Sequence, residues 1–205
     1  SCHAQTDLLR VGAACVDLTP TVFPIQLRSG KSNYVHDPLH VRAVAFERGE
    51  GRVVICLIDA IGIGRDMSDL TKARAAEKTG WKPEEMLICA THTHTAPKGG
   101  EGTPGKEAYD KLKHEKLEEA IVKAIQSLQP ARVGFGSDEE PSEVRNRRWF
   151  LEPGTMTTNP LGELDQVKTN AGRNDLIKPA GPTDPEICVI DVRTNRNKPL
   201  ALIAN

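Results

Sequence analysis

Apolar positions along the chain fall into two rhythms. Short runs such as Val53-Val54-Ile55-Cys56-Leu57-Ile58 and Met86-Leu87-Ile88-Cys89-Ala90 are almost free of polar atoms and bounded by turn residues, the pattern of buried strands. By contrast, Leu112, Leu117, Ala120, Ile121, Ala124, Ile125 and Leu128 keep helical spacing and stop at Pro130. In chain order the pattern predicts a strand over residues 8–16, a break at Thr19-Pro20 and a long loop to about residue 38. Strands over 41–46 and 53–58 follow, joined by the tight turn Gly49-Glu50-Gly51. A helix over 65–79 ends at Gly80, a residue suited to the left-handed position beyond a helix end. After the strand at 86–90, a glycine-rich loop at 98–102 leads into the helix that carries the apolar stripe, and 131–135 is the next strand.

Residues 151–185 are rich in Gly, Pro, Asn and Thr and read as a long structureless segment, the kind that forms a wall or lid over a site. Two last strands, 187–192 and 200–204, are joined by a turn at 194–198. Strand, helix, strand, helix, strand predicts an α/β fold: a mixed, largely parallel sheet with helical crossovers, loop-rich. In such sheets ligands bind outside the carboxyl ends of the strands.

Composition narrows the function classes. A chain of 205 residues suits one large domain, and a net charge of −1 with Lys and Arg spread along the chain leaves no footprint for nucleic acid or a membrane surface. No apolar run approaches the roughly 18 residues of a membrane span. The five cysteines are far apart and form no Cys-x-x-Cys pair, which argues against a zinc ribbon or a thioredoxin-like site. Cys56, Cys89 and Cys188 sit in apolar strand candidates and read as small core residues. Cys2, so near Ser1, has a second reading as a lipid-attachment cysteine of an exported protein.

The chemistry concentrates in Thr91-His92-Thr93-His94-Thr95-Ala96-Pro97. If strand geometry persists to residue 94, His92 and His94 point to one face and both imidazoles could meet one metal ion. The plainer reading is a threonine-rich loop whose rings bond to backbone. A catalytic zinc takes about three protein ligands, and this pair supplies at most two. Asp59 closes the strand at 53–58 as His92 follows the strand at 86–90, so a carboxylate and two imidazoles are expected at one rim. Asp59 could fix a histidine tautomer or cap a turn. His36-Asp37-Pro38-Leu39-His40 reads first as a turn whose aspartate bonds its own backbone, with Asp37 a further carboxylate candidate beside the metal ligands. Arg145-Asn146-Arg147-Arg148-Trp149 is either a solvated face or the seat of an arginine that binds a developing oxyanion.

Taken together, Val11-Gly12-Ala13-Ala14, Asp17-Leu18-Thr19-Pro20, Asp37-Pro38-Leu39 with Arg42-Ala43, Ala90-Thr91-His92-Thr93-His94 with Pro97, Asn146-Arg147 and the closing Pro199 to Asn205 stretch resemble the N-terminal catalytic domain of the neutral/alkaline non-lysosomal ceramidases, in their bacterial branch. The likeness spans nearly the whole of 1–205, which is then expected to be the front part of a longer catalytic domain. It implies a zinc-dependent amidase that cleaves the N-acyl bond of ceramide or a related lipid, in a secreted, periplasmic or cell-envelope setting. By the same resemblance, His92 ligates zinc, His94 assists catalysis and Arg147 lies near the substrate. Where the family reads Ser-Gly after the second histidine, this chain has Thr95-Ala96. The family's other zinc ligands, a histidine, a glutamate and a tyrosine, are expected beyond Asn205. Other readings are a zinc hydrolase of another amide or ester, and a binding module that keeps the fold.

Overall fold

The structure, a computed structural model, describes residues 8–28, 30–97, 105–156, 158–169 and 175–205. Cys2 and the glycine-rich loop at 98–102 lie outside the described residues. The chain divides into two compact units, Ser1–Gly134 with Asp191–Leu202, and Phe135–Ile190 with Ile203–Asn205.

In the first unit, β1 (Arg10–Asp17) runs antiparallel to β4 (His40–Arg48), which runs antiparallel to β5 (Gly51–Ile58) through a turn containing Gly49 at φ 57°. From β5 the chain crosses through α1 (Arg65–Thr79) to β6 (Met86–Ala90), which lies parallel to β5 with Ile58 opposite Ala90. Gly80, at φ 72°, ends α1 by donating its N–H to the carbonyl of Ala76, as its left-handed geometry requires. The next helix, α2 (Lys106–Gln126), leads to β7 (Gln129–Glu139), which pairs antiparallel with β1. With β11 (Glu186–Thr194) and β12 (Pro199–Ala204), these strands make a seven-stranded sheet of order β12-β11-β7-β1-β4-β5-β6. The fold is therefore a mixed α/β sheet, and among the strand registers of the described residues β5 and β6 form the parallel pair. It holds less parallel pairing than the strand-helix alternation suggests, because α2 returns the chain to the far side of β1, where β7 runs antiparallel.

Small residues set how closely α2 approaches the sheet. Gly12 lies opposite Ala45 and Ala14 opposite Ala43, and α2 packs over this seam with Leu117, Ala120, Ile121 and Ala124 fully buried. A Cβ built on Gly12 would fall 2.0 Å from the carbonyl oxygen of Ala124, so no side chain fits there. Val54, Cys56 and Ile58 complete this face of the sheet. The alternate residues behave differently: Val53 is 40% and Leu87 52% exposed. Runs that read as buried on both faces thus bury one face in earnest, because both helices of this unit join the core on that side. An ion pair between Lys78 and Glu118 links α1 to α2.

Two segments expected to lack structure contain strands. Within the predicted loop up to residue 38, β2 (Ile25–Leu27) and β3 (Gly30–Ser32) form a hairpin. In the second unit, β8 (Arg148–Leu151), β9 (Val167–Thr169) and β10 (Leu176–Pro179) form an antiparallel sheet of order β10-β8-β9, so the 151–185 segment is not structureless. Its strands are three or four residues long and paired by backbone hydrogen bonds, which leaves little hydrophobic signature. Gly154 and Gly162, at φ 84° and 85°, make turns between them. Cys188 is exposed rather than a core residue, whereas Cys56 is buried and its thiol is pushed up to about 12, first by burial and then by Cys89.

Replacing Gly12 with Ala is expected to destabilise the protein by about 3 kcal/mol or more, since a backbone atom stands in the way and overpacking of this kind is costly. Urea unfolding measures it, and an unchanged midpoint would mean that α2 does not seat on β1 in this way.

Candidate functional site

The parallel pairing of β5 and β6 puts their carboxyl ends side by side. Beyond the register pair Ile58 and Ala90, the two chains stay bonded: Thr91 N–H donates to the Ile58 carbonyl at 3.0 Å and Thr93 N–H to the Ala60 carbonyl at 3.1 Å. The Thr91 and Thr93 hydroxyls lie 2.6 Å apart, tying the loop to itself.

Regular strand geometry stops at Ala90 and does not persist to residue 94. His92 instead takes φ 61°, in the left-handed region that side chains other than glycine seldom occupy. The two rings nevertheless meet, edge to face, with centroids 4.8 Å apart and planes at 65°. A left-handed turn, rather than strand alternation, brings them together. His92 Nδ1 is 2.7 Å from the carbonyl oxygen of Ile61. A carbonyl only accepts, so Nδ1 is the donor, and in the neutral tautomer this selects, Nε2 is the nitrogen with the lone pair, as a metal ligand or an acid-base nitrogen needs.

Asp59, just past β5, has other partners than the histidines. Its Oδ2 accepts the His40 backbone N–H at 2.9 Å and the Arg42 guanidinium at 3.0 Å. Arg42 also donates toward His40 Nδ1 at 3.2 Å, so that nitrogen's lone pair is engaged. The partner that fixes the His92 tautomer is therefore the Ile61 carbonyl, and Asp59 orders the start of β4. Burial first, then the charges of Asp59 and Asp110, push the Tyr109 phenol up, so it stays neutral. Asp37 pairs with the preceding imidazole, His36 Nδ1 at 2.8 Å, rather than with its own backbone, and both side chains are exposed.

Beside this rim lies a cavity of about 570 Å³ within the first unit. Phe23, Ile25, Leu27 and Leu39 give it an apolar wall, while Asp37, Asp59, Thr93 and Thr95 stand among its polar lining. The β2–β3 hairpin and Arg42 are the parts to which sequence reading gave no role. Their one available signal is the alternation Phe23, Ile25, Leu27, the period of a strand. Thr19 also lines the cavity; its hydroxyl accepts the Leu39 N–H at 3.0 Å and its own N–H donates to Asp17 Oδ1 at 2.6 Å.

Arg147 belongs to the second unit, where it is exposed just before β8. The neighbouring Asn146 positions this corner: its amide donates to the Pro182 carbonyl at 3.0 Å and its oxygen accepts the Arg148 N–H at 2.9 Å. Among the described residues, no three His, Cys, Asp or Glu side chains converge as a metal site. The two imidazoles are an incomplete donor set for a catalytic zinc, which takes three protein ligands. Among the same residues no helix is long and apolar enough to cross a membrane.

This mixed α/β fold is shared with ceramidases of known structure. Against the crystal structure of neutral ceramidase from Pseudomonas aeruginosa the chain aligns over 97% of its length, with a TM-score of 0.67 and 21% identity, and covers 31% of that chain. Against a ceramidase complexed with C2 the TM-score is again 0.67, at 19% identity and the same coverage of 97% and 31%. The chain thus spans about a third of the length of these enzymes, and at such identity the likeness is one of fold. No protein-family model and no curated protein sequence matches the chain.

The hydrogen bonds from Thr19, through its side chain first and then its backbone, hold the Asp17 carboxyl below its ordinary value of 3.8. A depressed carboxyl contributes order that is present above 3.8 and lost as pH falls through the lower folded value. The Thr19 amide proton shift, followed by NMR, should therefore titrate with a midpoint below 3.8, and an Asp17→Asn variant should show no such step. A midpoint at or above that value would contradict the bond.

Proposed function

We propose that the chain is part of a metal-dependent amide hydrolase of ceramidase type, acting on ceramide or a ceramide-like lipid. The observation that carries this reading is the pair of imidazoles held 4.8 Å apart at the carboxyl ends of β5 and β6, in a fold shared with ceramidases. The 205 residues span 31% of neutral ceramidase, so activity is proposed of the longer polypeptide such an enzyme requires. Zinc is the proposed metal, with His92 Nε2 as one ligand and the remaining ligands from outside these residues.

Within this reading the chain's own groups have distinct tasks. The bond from Nδ1 to the Ile61 carbonyl keeps the His92 ring oriented and leaves Nε2 as the ligating nitrogen of the neutral tautomer. His94, beside it, moves a proton to the leaving amine nitrogen. The family resemblance assigns Arg147 a place near the substrate, where a guanidinium would suit an oxygen that gains negative charge. The threonine hydroxyl pair on either side of His92 holds the turn that makes the first two placements possible.

The test is hydrolysis of an N-acyl sphingosine by the longer polypeptide, together with its zinc content after dialysis. Zinc near one equivalent and steady release of free sphingosine are expected. His92→Ala should lose both metal and turnover, His94→Ala should lose about 10²–10⁴ in kcat with metal retained, and Arg147→Ala about 10²–10³. Turnover that survives His92→Ala would end the proposal.

A further inference from the structure

The cavity lined by Thr93, Thr95 and Asp59, chain neighbours of the two histidines and of the β5 end, has a chemical bias that the fold alone does not explain. Its wall of Phe23, Ile25, Leu27 and Leu39 is hydrocarbon, and the exposed Tyr34 and Val35 extend that surface to the lining's outer part. Its titratable lining is Asp37, Asp59 and His36, and among the described lining residues there is no Lys or Arg. The Asp59 charge is answered by Arg42 at 3.0 Å, which leaves Asp37, bonded to His36, as the carboxylate most open to a ligand. A volume of about 570 Å³ is in the ordinary range for small-molecule sites, where apolar walls supply affinity and a few placed polar groups set orientation.

We infer that this cavity receives the amine half of the cleaved amide, an amphiphile whose hydrocarbon lies along Phe23, Ile25, Leu27 and Leu39 and whose ammonium and hydroxyl donors face Asp37. The inference rests on the amide-hydrolase reading and adds which half of the substrate goes where. Hydrolysis adds water across the bond: the C–N bond breaks, a C–O bond forms, and at neutral pH the products are a carboxylate and an ammonium. The two halves therefore differ in the sign of the charge they acquire. The Asp37 carboxylate attracts the cation and repels the anion, so the carboxylate product is disfavoured beside it. Asp37 acts as a specificity-determining residue in this arrangement, selecting a donor-bearing head group by charge and hydrogen bonding rather than by shape.

Binding can be read without turnover, by calorimetry on the 205-residue chain with dodecylamine, dodecanol and dodecanoate at pH 7, each below its micelle concentration. Dodecylamine is expected to bind about tenfold or more tighter than dodecanoate, a difference of about 1.4 kcal/mol. Asp37→Asn should weaken dodecylamine several-fold while leaving dodecanol unchanged, with the unfolding midpoint as a check that the variant is folded. An Ile25→Ala variant should weaken all three. Dodecanoate binding as tightly as dodecylamine, or an amine preference untouched by Asp37→Asn, would overturn the inference. Amine preference without amide hydrolysis by the longer polypeptide would overturn the enzyme reading while leaving the selectivity of the cavity standing; hydrolysis without amine preference would do the reverse.

Discussion

Parallel pairing of β5 with β6 is the constraint on which the site depends. A parallel pair must be joined by a crossover, here α1, and the crossover delivers both strands pointing the same way. Their carboxyl ends then stand together, and the chains leaving them can bond to each other. Backbone hydrogen bonds from Thr91 to Ile58 and from Thr93 to Ala60 continue the ladder past the last regular residues. His92 is held at a positive φ within that laddered loop, and its ring is locked by the Ile61 carbonyl. Without the parallel pair there would be no second strand end to hold the turn.

The sheet that holds this pair is covered by a close-packed helix, and the seam of Gly12, Ala14, Ala43 and Ala45 provides the close approach for α2. Small residues in the middle of two adjacent strands carry little side-chain burial of their own. They allow Leu117, Ile121 and Ile125 to reach Val41, Val54 and Ile58 in one continuous core. The same helix carries Tyr109, whose buried phenol lies near enough to Asp59 for their charges to matter. Packing and site are joined at this point: α2 stabilises the sheet and also forms part of the low-dielectric surroundings of the aspartate at the end of β5.

The electrostatics divide the rim into two regions. Around Asp59, charge is satisfied internally by Arg42 and by the backbone of His40, a local network that fixes where β4 begins. Toward the cavity, Asp37 is open and bonded to His36, beside a hydrocarbon wall. Two carboxylates of the same residue type thus serve different ends because their surroundings differ, one in an ion pair and one facing a ligand-sized space.

The strands at 10–17, 40–48, 51–58 and 86–90 and the helices at 65–79 and 106–126 were legible to within a few residues, because each carries a strong hydrophobic period or a clear stop at glycine or proline. The place of the His-x-His pair after a strand was legible, since local order is a one-dimensional fact. Short strands such as β2, β3 and β8 to β10 were not, because backbone pairing across three or four residues is decided by a partner remote in sequence. Nor was the proportion of parallel pairing, which depends on the side of β1 to which α2 returns the chain. The sequence by itself determined which residues could do chemistry and which segments would bury a face. Only the tertiary structure decided that His92 would meet His94 through a left-handed turn, that Asp59 would pair with Arg42, and that an acid-rimmed cavity would open beside them, since each of these is a contact between positions that no local pattern relates.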